Sequence, residues 1–292
     1  MNYRITHTTS YRYSSPVSIC HNVVILAPQP SDKLQVCSHR LSIDPVPTVT
    51  GSRSDMFGNI VNRFSVEELH TQLTITAVSD VVVHPKPALS ADRTPTCGAV
   101  AAAVAERRDP RWLNVVPFVY NSPRIERHTV YAEFAAASVA PDKPILTAIT
   151  DFARQIFTEF KYDKKATRVD TPTRSAFDGR HGVCQDFAHV GVSCLRSLNL
   201  PARYVSGYLR TVPPVGKERL IGADQSHAWI SVYCGTDIGW VDVDPTNNCL
   251  CDTNHVPIAF GRDYSDVVPM KGIFLGGGTP ELVVSVDVAP KP

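Results

Sequence analysis

The sequence lacks any apolar stretch long enough to cross a lipid bilayer. Its uninterrupted apolar runs, such as VVILA at 23–27, are short, whereas a transmembrane helix needs about 20 apolar residues. The N-terminus also lacks a basic region followed by an apolar stretch, which is the pattern of a secretory signal peptide. From these absences we expect a soluble protein in the cytoplasm.

An excess of charge of either sign is also absent. The 292 residues include 29 Lys and Arg against 28 Asp and Glu, for a formal net charge of +1. Proteins that bind nucleic acid or an anionic membrane usually carry clustered positive charge, so we expect neither as a partner. Hydrophobic residues make up 43% of the chain, a share typical of globular domains, and the length fits one large domain or two ordinary ones.

Cysteine is too sparse for a disulfide scaffold. The chain has eight, and no two have the C-x-x-C spacing of a zinc ribbon or a redox motif. Cys249, Cys251 and His255 could form half of a metal site, but zinc usually takes four ligands and the usual ligand spacing is missing. The sequence therefore predicts no metal and no cofactor.

Residues 1–85 have the period of β-strands. Apolar and polar residues alternate at 40–43 and 73–79, and turns containing proline, glycine or asparagine separate such runs. This pattern predicts a β-rich N-terminal domain, built as an antiparallel sandwich or a curved sheet. We interpret it as a structural or substrate-docking module. A connecting segment with a short helix follows at 86–144.

After Pro144 the period changes from that of strands to that of helices. Amphipathic helices are predicted at 145–160 and 184–198, and strands at 203–208, 227–233 and 240–244. Helices followed by antiparallel strands indicate an α+β core, which we assign to 145–270. A last strand, within 271–292, ends the chain.

Cys184 is the one cysteine in an unusual position, where a glycine-containing loop meets the second predicted helix. The free N–H groups and the positive dipole end of a helix stabilise thiolate, the nucleophilic form of cysteine. The backbone N–H of Cys184 is also placed to donate to an oxyanion once the sulfur has attacked a carbonyl. A buried structural cysteine is the alternative.

His227 is the candidate base, because it begins a strand directly after a long polar loop at 211–226. The neighbouring predicted strand offers two acids, Asp242 and Asp244. Both lie on the same face of that strand, so alternation does not separate them.

Hairpin register favours Asp244 as the acid. If Asp244 lies opposite His227, the turn is centred between Gly235 and Thr236, inside the turn-forming residues at 235–239. Asp244 also precedes Pro245, which ends the strand and leaves the carboxylate at its mouth. A cysteine, a histidine and an aspartate together suit attack on an amide or a thioester-like carbonyl.

The motifs that hold these residues resemble those of the bacterial transglutaminase-like superfamily, in order and in spacing. They are GVCQDFA at 182–188, LPARYVSGY at 200–208, HAW at 227–229 and WVDVDPT at 240–246. DMFGN at 55–59 and the tyrosine-rich first strand resemble the β-rich N-terminal domain that accompanies such cores in bacteria. DYSDVVP at 263–269 also matches the family.

The resemblance implies a papain-like, transglutaminase-like core in which the nucleophile helix packs on an antiparallel sheet. It implies Cys184 as nucleophile, His227 as general base and acid, and Asp244 as the orienting acid. It favours Asp244 over Asp242 because the family's acid precedes a turn of the Pro-Thr kind. The acidic clusters of the calcium-regulated animal enzymes are missing, so calcium control is not expected.

The function predicted from these residues is cleavage or transamidation of amide bonds through an acyl-enzyme on Cys184. The substrate would be a peptide or protein, with an amine as a second acceptor, and we favour hydrolysis over cross-linking. Two alternatives stay open at this point. One is a non-catalytic peptide-binding module that keeps the fold, and the other is an acyltransferase that uses a thioester donor.

Overall fold

The computed structural model describes residues 1–85, 87–106, 110–211 and 224–291. Two large antiparallel sheets dominate the molecule, and we call them the long sheet and the core sheet. The long sheet contains β1 (Asn2–Ala27), β2 (Leu34–Asp44), β3 (Val49–Ser54), β4 (Ile60–Val66), β5 (His70–Val83), β13 (Met270–Gly276) and β14 (Pro280–Lys291). The antiparallel β structure predicted for the N-terminal region is confirmed as a single curled sheet, which the two C-terminal strands join.

Strand β1 organises the long sheet because its two halves pair with different neighbours. Its first half lies between β5 and β14, and its second half lies between β4 and β13. Between Arg12 and Val17 the register with β5 shifts, an irregularity that bends a strand. Buried and accessible side chains alternate through the first half, so one face of β1 points inward, toward the rest of the molecule.

The helices of the second half of the chain confirm the predicted periodicity. The amphipathic helices expected at 145–160 and 184–198 are present as α3 (Ile145–Glu159) and α5 (Cys184–Ser197). Shorter elements surround them. These are α1 (Cys97–Glu106), α2 (Thr129–Ala136), α4 (Thr173–Gly179) and a small parallel pair, β6 (Lys161–Tyr162) with β7 (His181–Gly182). No helix in the described ranges has the length and apolar character needed to span a membrane.

The core sheet has the order β11-β10-β9-β8-β12. Its strands are β8 (Ala202–Leu209), β9 (Gln225–Tyr233), β10 (Trp240–Asp244), β11 (Cys249–Leu250) and β12 (His255–Gly261). The first, second and third of these were predicted, whereas β11 and β12 were not. The fold class, an α+β core with a nucleophile helix on an antiparallel sheet, is confirmed.

A glycine allows α5 to lie directly against β9. A Cβ at Gly191 would come within 2.1 Å of the Cδ1 atom of Ile230, so any larger residue would push the helix away from the sheet. Ile230 and its neighbours on the same face of β9, Ala228 and Val232, are buried in the main hydrophobic cluster with α5. This contact holds the N-terminus of the helix near the beginning of β9.

Candidate active site

Cys184 is the first residue of α5, and its thiol is partly exposed. The turn before the helix depends on Gly182, whose φ is +154° and whose missing Cβ leaves room for the Asp186 side chain. Asp186 Oδ2 accepts hydrogen bonds from the Val183 N–H at 2.8 Å and from the Thr167 hydroxyl at 2.6 Å. The carboxylate thereby ties the incoming loop to the first turn and fixes where Cys184 begins the helix.

His227 lies beside both Cys184 and Asp244. Its Nε2 is 2.7 Å from Asp244 Oδ2, and the ring lines the same cleft as the Cys184 thiol, which is near enough to influence the pKa of His227. Because Nε2 is engaged with the carboxylate, Nδ1 is the nitrogen left for the sulfur. Burial alone would lower the pKa of His227, but the hydrogen bonds and negative charges of Asp244 and Cys184 outweigh burial and raise the pKa to about 10.

The hairpin register that was predicted for these residues is wrong, although the partner it selected is the one observed. Trp240 pairs with Tyr233 and Asp242 with Ser231, so Asp244 lies two positions away from the place opposite His227. The turn is longer than predicted because Gly235 and Gly239 close a separate loop: the Gly239 N–H donates to Gly235 O, and the Cys234 N–H donates to Gly239 O. His227 reaches Asp244 diagonally across the strands.

Asp244 is completely buried and accepts several N–H groups. Its Oδ1 accepts from the backbone N–H groups of Thr246 (2.8 Å) and Asn247 (3.2 Å), and its Oδ2 accepts from the Asn247 side-chain amide at 2.6 Å. His227 and His255 also donate to Oδ2. Burial would raise the pKa of Asp244, but these donors hold it well below its usual range. The carboxylate is therefore ionised and fixed in one orientation.

Asp242, the other acid considered, is directed elsewhere. Its Oδ2 lies 3.9 Å from the Lys33 ammonium of the long sheet's first connection. The structure thus brings together Cys184, His227 and Asp244, and leaves Asp242 outside the group.

A cleft of about 520 Å³ opens onto the Cys184 thiol and the His227 ring. The core contributes one wall, and the long sheet contributes the other. The long-sheet side chains are His7, Thr9 and Tyr11 of β1, Met270 of β13, and Leu282, Val284 and Val286 of β14. The long polar loop at 211–226, which precedes His227, falls largely on residues 212–223, outside the described residues.

Two contributions to the site were missed by sequence reasoning. Asn247 follows the WVDVDPT motif and could have been suspected as a turn residue close to the acid. His255 was considered only with Cys249 and Cys251, yet its Nε2 lies 3.1 Å from Asp244 Oδ2. Within the described ranges, the histidine and acid atoms close enough to share a metal ion belong to His227, Asp244 and His255, which lie within 4.8 Å of one another. Neither cysteine belongs to that group.

Comparisons with known proteins match both halves of the chain. The bacterial transglutaminase-like N-terminal region matches residues 3–82, and the transglutaminase-like superfamily matches residues 132–245. An uncharacterized protein of Mycobacterium tuberculosis is 39% identical over 292 residues, which cover 99% of this chain and 92% of that protein. An uncharacterized protein of Mycobacterium leprae is 32% identical over 289 residues, or 98% of this chain and 97% of the relative.

One solved structure has the same fold over nearly the whole chain. It is that of a candidate cysteine protease from Cytophaga hutchinsonii, with a TM-score of 0.78 and 20% sequence identity. The match covers 99% of this chain and 90% of the other. The likeness therefore extends to the long sheet as well as to the core.

Proposed function

The chain belongs to the transglutaminase-like superfamily, and on that premise we propose that it cleaves or transfers amide bonds through an acyl-enzyme on Cys184. The observation that carries this proposal is the position of the His227 ring. It donates to the buried Asp244 carboxylate at 2.7 Å and lines the cleft together with the Cys184 thiol. A thiol, an imidazole and a carboxylate arranged in this spatial order form a proton-transfer group suited to acyl transfer.

In the first half of the reaction, His227 Nδ1 takes the thiol proton and the thiolate attacks the carbonyl carbon of the amide. The carbonyl oxygen becomes an oxyanion, to which the backbone N–H of Cys184 can donate because the first N–H groups of a helix have no partner within the helix. As the C–N bond breaks, the imidazolium gives its proton to the leaving amine. A thioester on Cys184 remains.

In the second half, water attacks the thioester while His227 takes a proton from it. The C–S bond breaks, the proton returns to the sulfur, and a carboxylic acid leaves. An amine that replaces water gives a new amide by the same steps. We propose hydrolysis as the main outcome, with transfer to an amine as the competing one.

Asp244 serves this cycle by holding the imidazole and stabilising its charged form. It can do so without titrating itself, because five N–H donors keep the carboxylate ionised and in place.

The substrate that suits the cleft is an uncharged, apolar stretch of peptide or protein. Tyr11, Leu282 and Val284 present apolar surface opposite the core wall. Among the described lining residues, Asp224 is the acidic one, and both of its oxygens accept backbone N–H groups, from Thr211 and Val288. The absence of nucleic-acid and membrane partners, and a cytoplasmic location, stay predictions from the sequence.

Alkylation by iodoacetamide tests the proposal without a known substrate. Cys37 is exposed and serves as the reference thiol in the same molecule. At pH 6 we expect Cys184 to react at least about tenfold faster than Cys37, because an ordinary thiol has a pKa of about 8.5 and is mostly protonated there. The rate at each cysteine is read by peptide mass spectrometry in the wild type and in His227→Ala.

The variant should remove the advantage of Cys184 and leave the rate at Cys37 unchanged. Equal rates at the two thiols in the wild type, or an advantage that survives His227→Ala, would contradict the proposal and favour a peptide-binding module.

A further inference from the structure

A second histidine contacts the acid of the site, next to His227. His255 begins β12 and is 4% exposed. Its Nε2 lies 3.1 Å from Asp244 Oδ2, the oxygen that also accepts from His227 Nε2 at 2.7 Å. Two imidazole rings therefore converge on one carboxylate oxygen.

The ring of His255 is fixed by contacts on its other sides as well. Its Nδ1 is 3.1 Å from Asp252 Oδ1 and 3.3 Å from the Asp252 backbone N–H. The edge of the ring meets Trp229, with centroids 5.4 Å apart and planes at 81°. Asp252 is held in turn by the backbone N–H of Asn254 at 2.8 Å and its side-chain amide at 3.0 Å. Such contacts leave the imidazole one orientation.

The protons in this group follow from the chemistry of the carboxylate. An ionised carboxylate only accepts hydrogen bonds, so the nitrogens that face Asp244 must carry hydrogen: Nε2 of His227 and Nε2 of His255. The Nδ1 of His255 faces Asp252, which offers both a backbone N–H donor and a carboxylate acceptor. The nearby thiols contribute no charge at neutral pH, because burial raises the pKa of Cys249 to about 11 and that of Cys251 well above its usual value.

The same three side chains could be considered as metal ligands, since their donor atoms lie within 4.8 Å of one another. Zinc would need both Nε2 atoms deprotonated and ligand distances of about 2.0–2.2 Å. Here each Nε2 is at hydrogen-bonding distance from Asp244, and the carboxylate also accepts three N–H groups from Thr246 and Asn247. The geometry fits a hydrogen-bonded chain better than a metal site.

We propose that His255 is a positioning residue of the reaction, which fixes the Asp244 oxygen that orients His227. The resulting chain runs Asp252–His255–Asp244–His227–Cys184. The inference rests on the proposed function, because positioning the acid matters only if His227 and Cys184 react. Loss of the His255 donor would let the Asp244 oxygen move, and displacement of a catalytic group by about 1 Å can cost on the order of 100-fold in rate.

Two substitutions separate positioning from packing. His255→Leu fills the space but donates nothing, whereas His255→Gln keeps an N–H donor near the position of Nε2. We expect His255→Leu to slow alkylation of Cys184 at pH 6 by about 10- to 100-fold and to move the midpoint of its pH profile toward that of Cys37. His255→Gln should stay within about threefold of the wild type.

Equal losses in the two variants, or no loss in either, would overturn the proposal. If wild-type Cys184 reacts no faster than Cys37, the proposed function fails first. If it reacts fast and His255→Leu reacts equally fast, only the role of His255 fails.

A measurement on the wild type covers the case in which the variants do not fold. In protein labelled with ¹⁵N-histidine, we expect NMR to find Nε2 of His255 protonated at pH 7, with an N–H that exchanges slowly with solvent. An unprotonated Nε2, or one zinc ion per chain that EDTA removes with a change at this nitrogen, would contradict the hydrogen-bonded chain.

Discussion

Helix α5 carries two cysteines and strand β10 carries two aspartates, and in each pair one residue belongs to the candidate site while the other does not. Helix α5 carries Cys184 at its first residue and Cys194 in its buried middle. Cys184 is partly exposed and adjoins His227, whereas Cys194 is fully buried and its pKa is raised far above the usual range by burial. A thiol becomes a candidate nucleophile here because of where its helix begins.

Strand β10 repeats the comparison with aspartates. Asp244, at the end of the strand, accepts five N–H groups, two of them from imidazoles. Asp242, two residues earlier, lies opposite Ser231 and 3.9 Å from the Lys33 ammonium. The turn after β10 supplies backbone donors to Asp244, whereas Asp242, within the strand, lies opposite a residue of β9 and has no such turn beside it.

Exchange of the two cysteines for alanine is expected to give the largest contrast. Cys184→Ala should abolish labelling by a peptidyl chloromethyl ketone, a loss of at least about 10³-fold, because the attacking sulfur is gone. Cys194→Ala should keep the labelling rate and lower the free energy of unfolding by about 1 kcal/mol, since it leaves a small cavity. Intact-protein mass spectrometry and urea titration measure the two effects. A folded Cys194→Ala protein without labelling would break the comparison.

The two aspartates are expected to differ somewhat less. Asp244→Asn should slow labelling of Cys184 by roughly 10²- to 10⁴-fold, because the amide no longer stabilises the imidazolium and can fix the wrong tautomer of His227. Asp242→Asn should stay within about threefold of the wild type, since Asp242 does not contact His227. Second-order rate constants with the same reagent measure both. Equal losses would mean that the acid was assigned to the wrong position.

The pH dependence of the free energy of unfolding tests whether Asp244 holds the proton on His227. The pKa of His227 is raised in the folded protein to about 10, against about 6.5 for an unperturbed histidine. Its stabilising contribution is therefore complete below about pH 6.5 and declines as the pH rises to about 10, where it is lost. The wild type should lose a few kcal/mol more than Asp244→Asn over that interval, as measured by urea unfolding. A parallel decline in both proteins would show that Asp244 does not hold the proton on His227.

Most of the elements that position the site could be predicted from the sequence, because their apolar residues recur with the period of a helix or a strand. The apolar steps over 145–160 and 184–198 gave α3 and α5, and alternation gave β8 to β10. Cys184, His227 and Asp244 were selected before the structure, and the structure brings them together. Hairpin register, Pro245 and the family resemblance all favoured Asp244 over Asp242. The register was wrong, whereas β10 does end at Asp244, directly before Pro245.

What the sequence did not reveal depends on contacts between distant residues. His255 reaches Asp244 only because β12 returns to the core sheet beside β8, and HVPIAFG has no polar alternation that would mark it as a strand: all seven residues are buried. The long-sheet wall of the cleft requires β14 to pair with β1, residue 291 lying opposite residue 2. No local pattern encodes a pairing across that separation.

The smallest effect on labelling is expected from substitutions in the long-sheet wall of the cleft, where two neighbouring residues of β14 lie on opposite faces of the strand. Leu282 lines the cleft, while Val283 lies on the opposite face of β14, and both are about half exposed. Leu282→Asp places a charge against an apolar ligand, so labelling by a leucyl chloromethyl ketone should slow by about three- to tenfold, or about 1 kcal/mol. Val283→Asp introduces the same charge and should change little.

Iodoacetamide, which is too small to contact the wall, should label Cys184 equally fast in both variants. If Leu282→Asp slows both reagents alike, the substitution acts on the site itself rather than on recognition. If it slows neither, the substrate does not touch β14, and the apolar specificity proposed for the cleft is wrong.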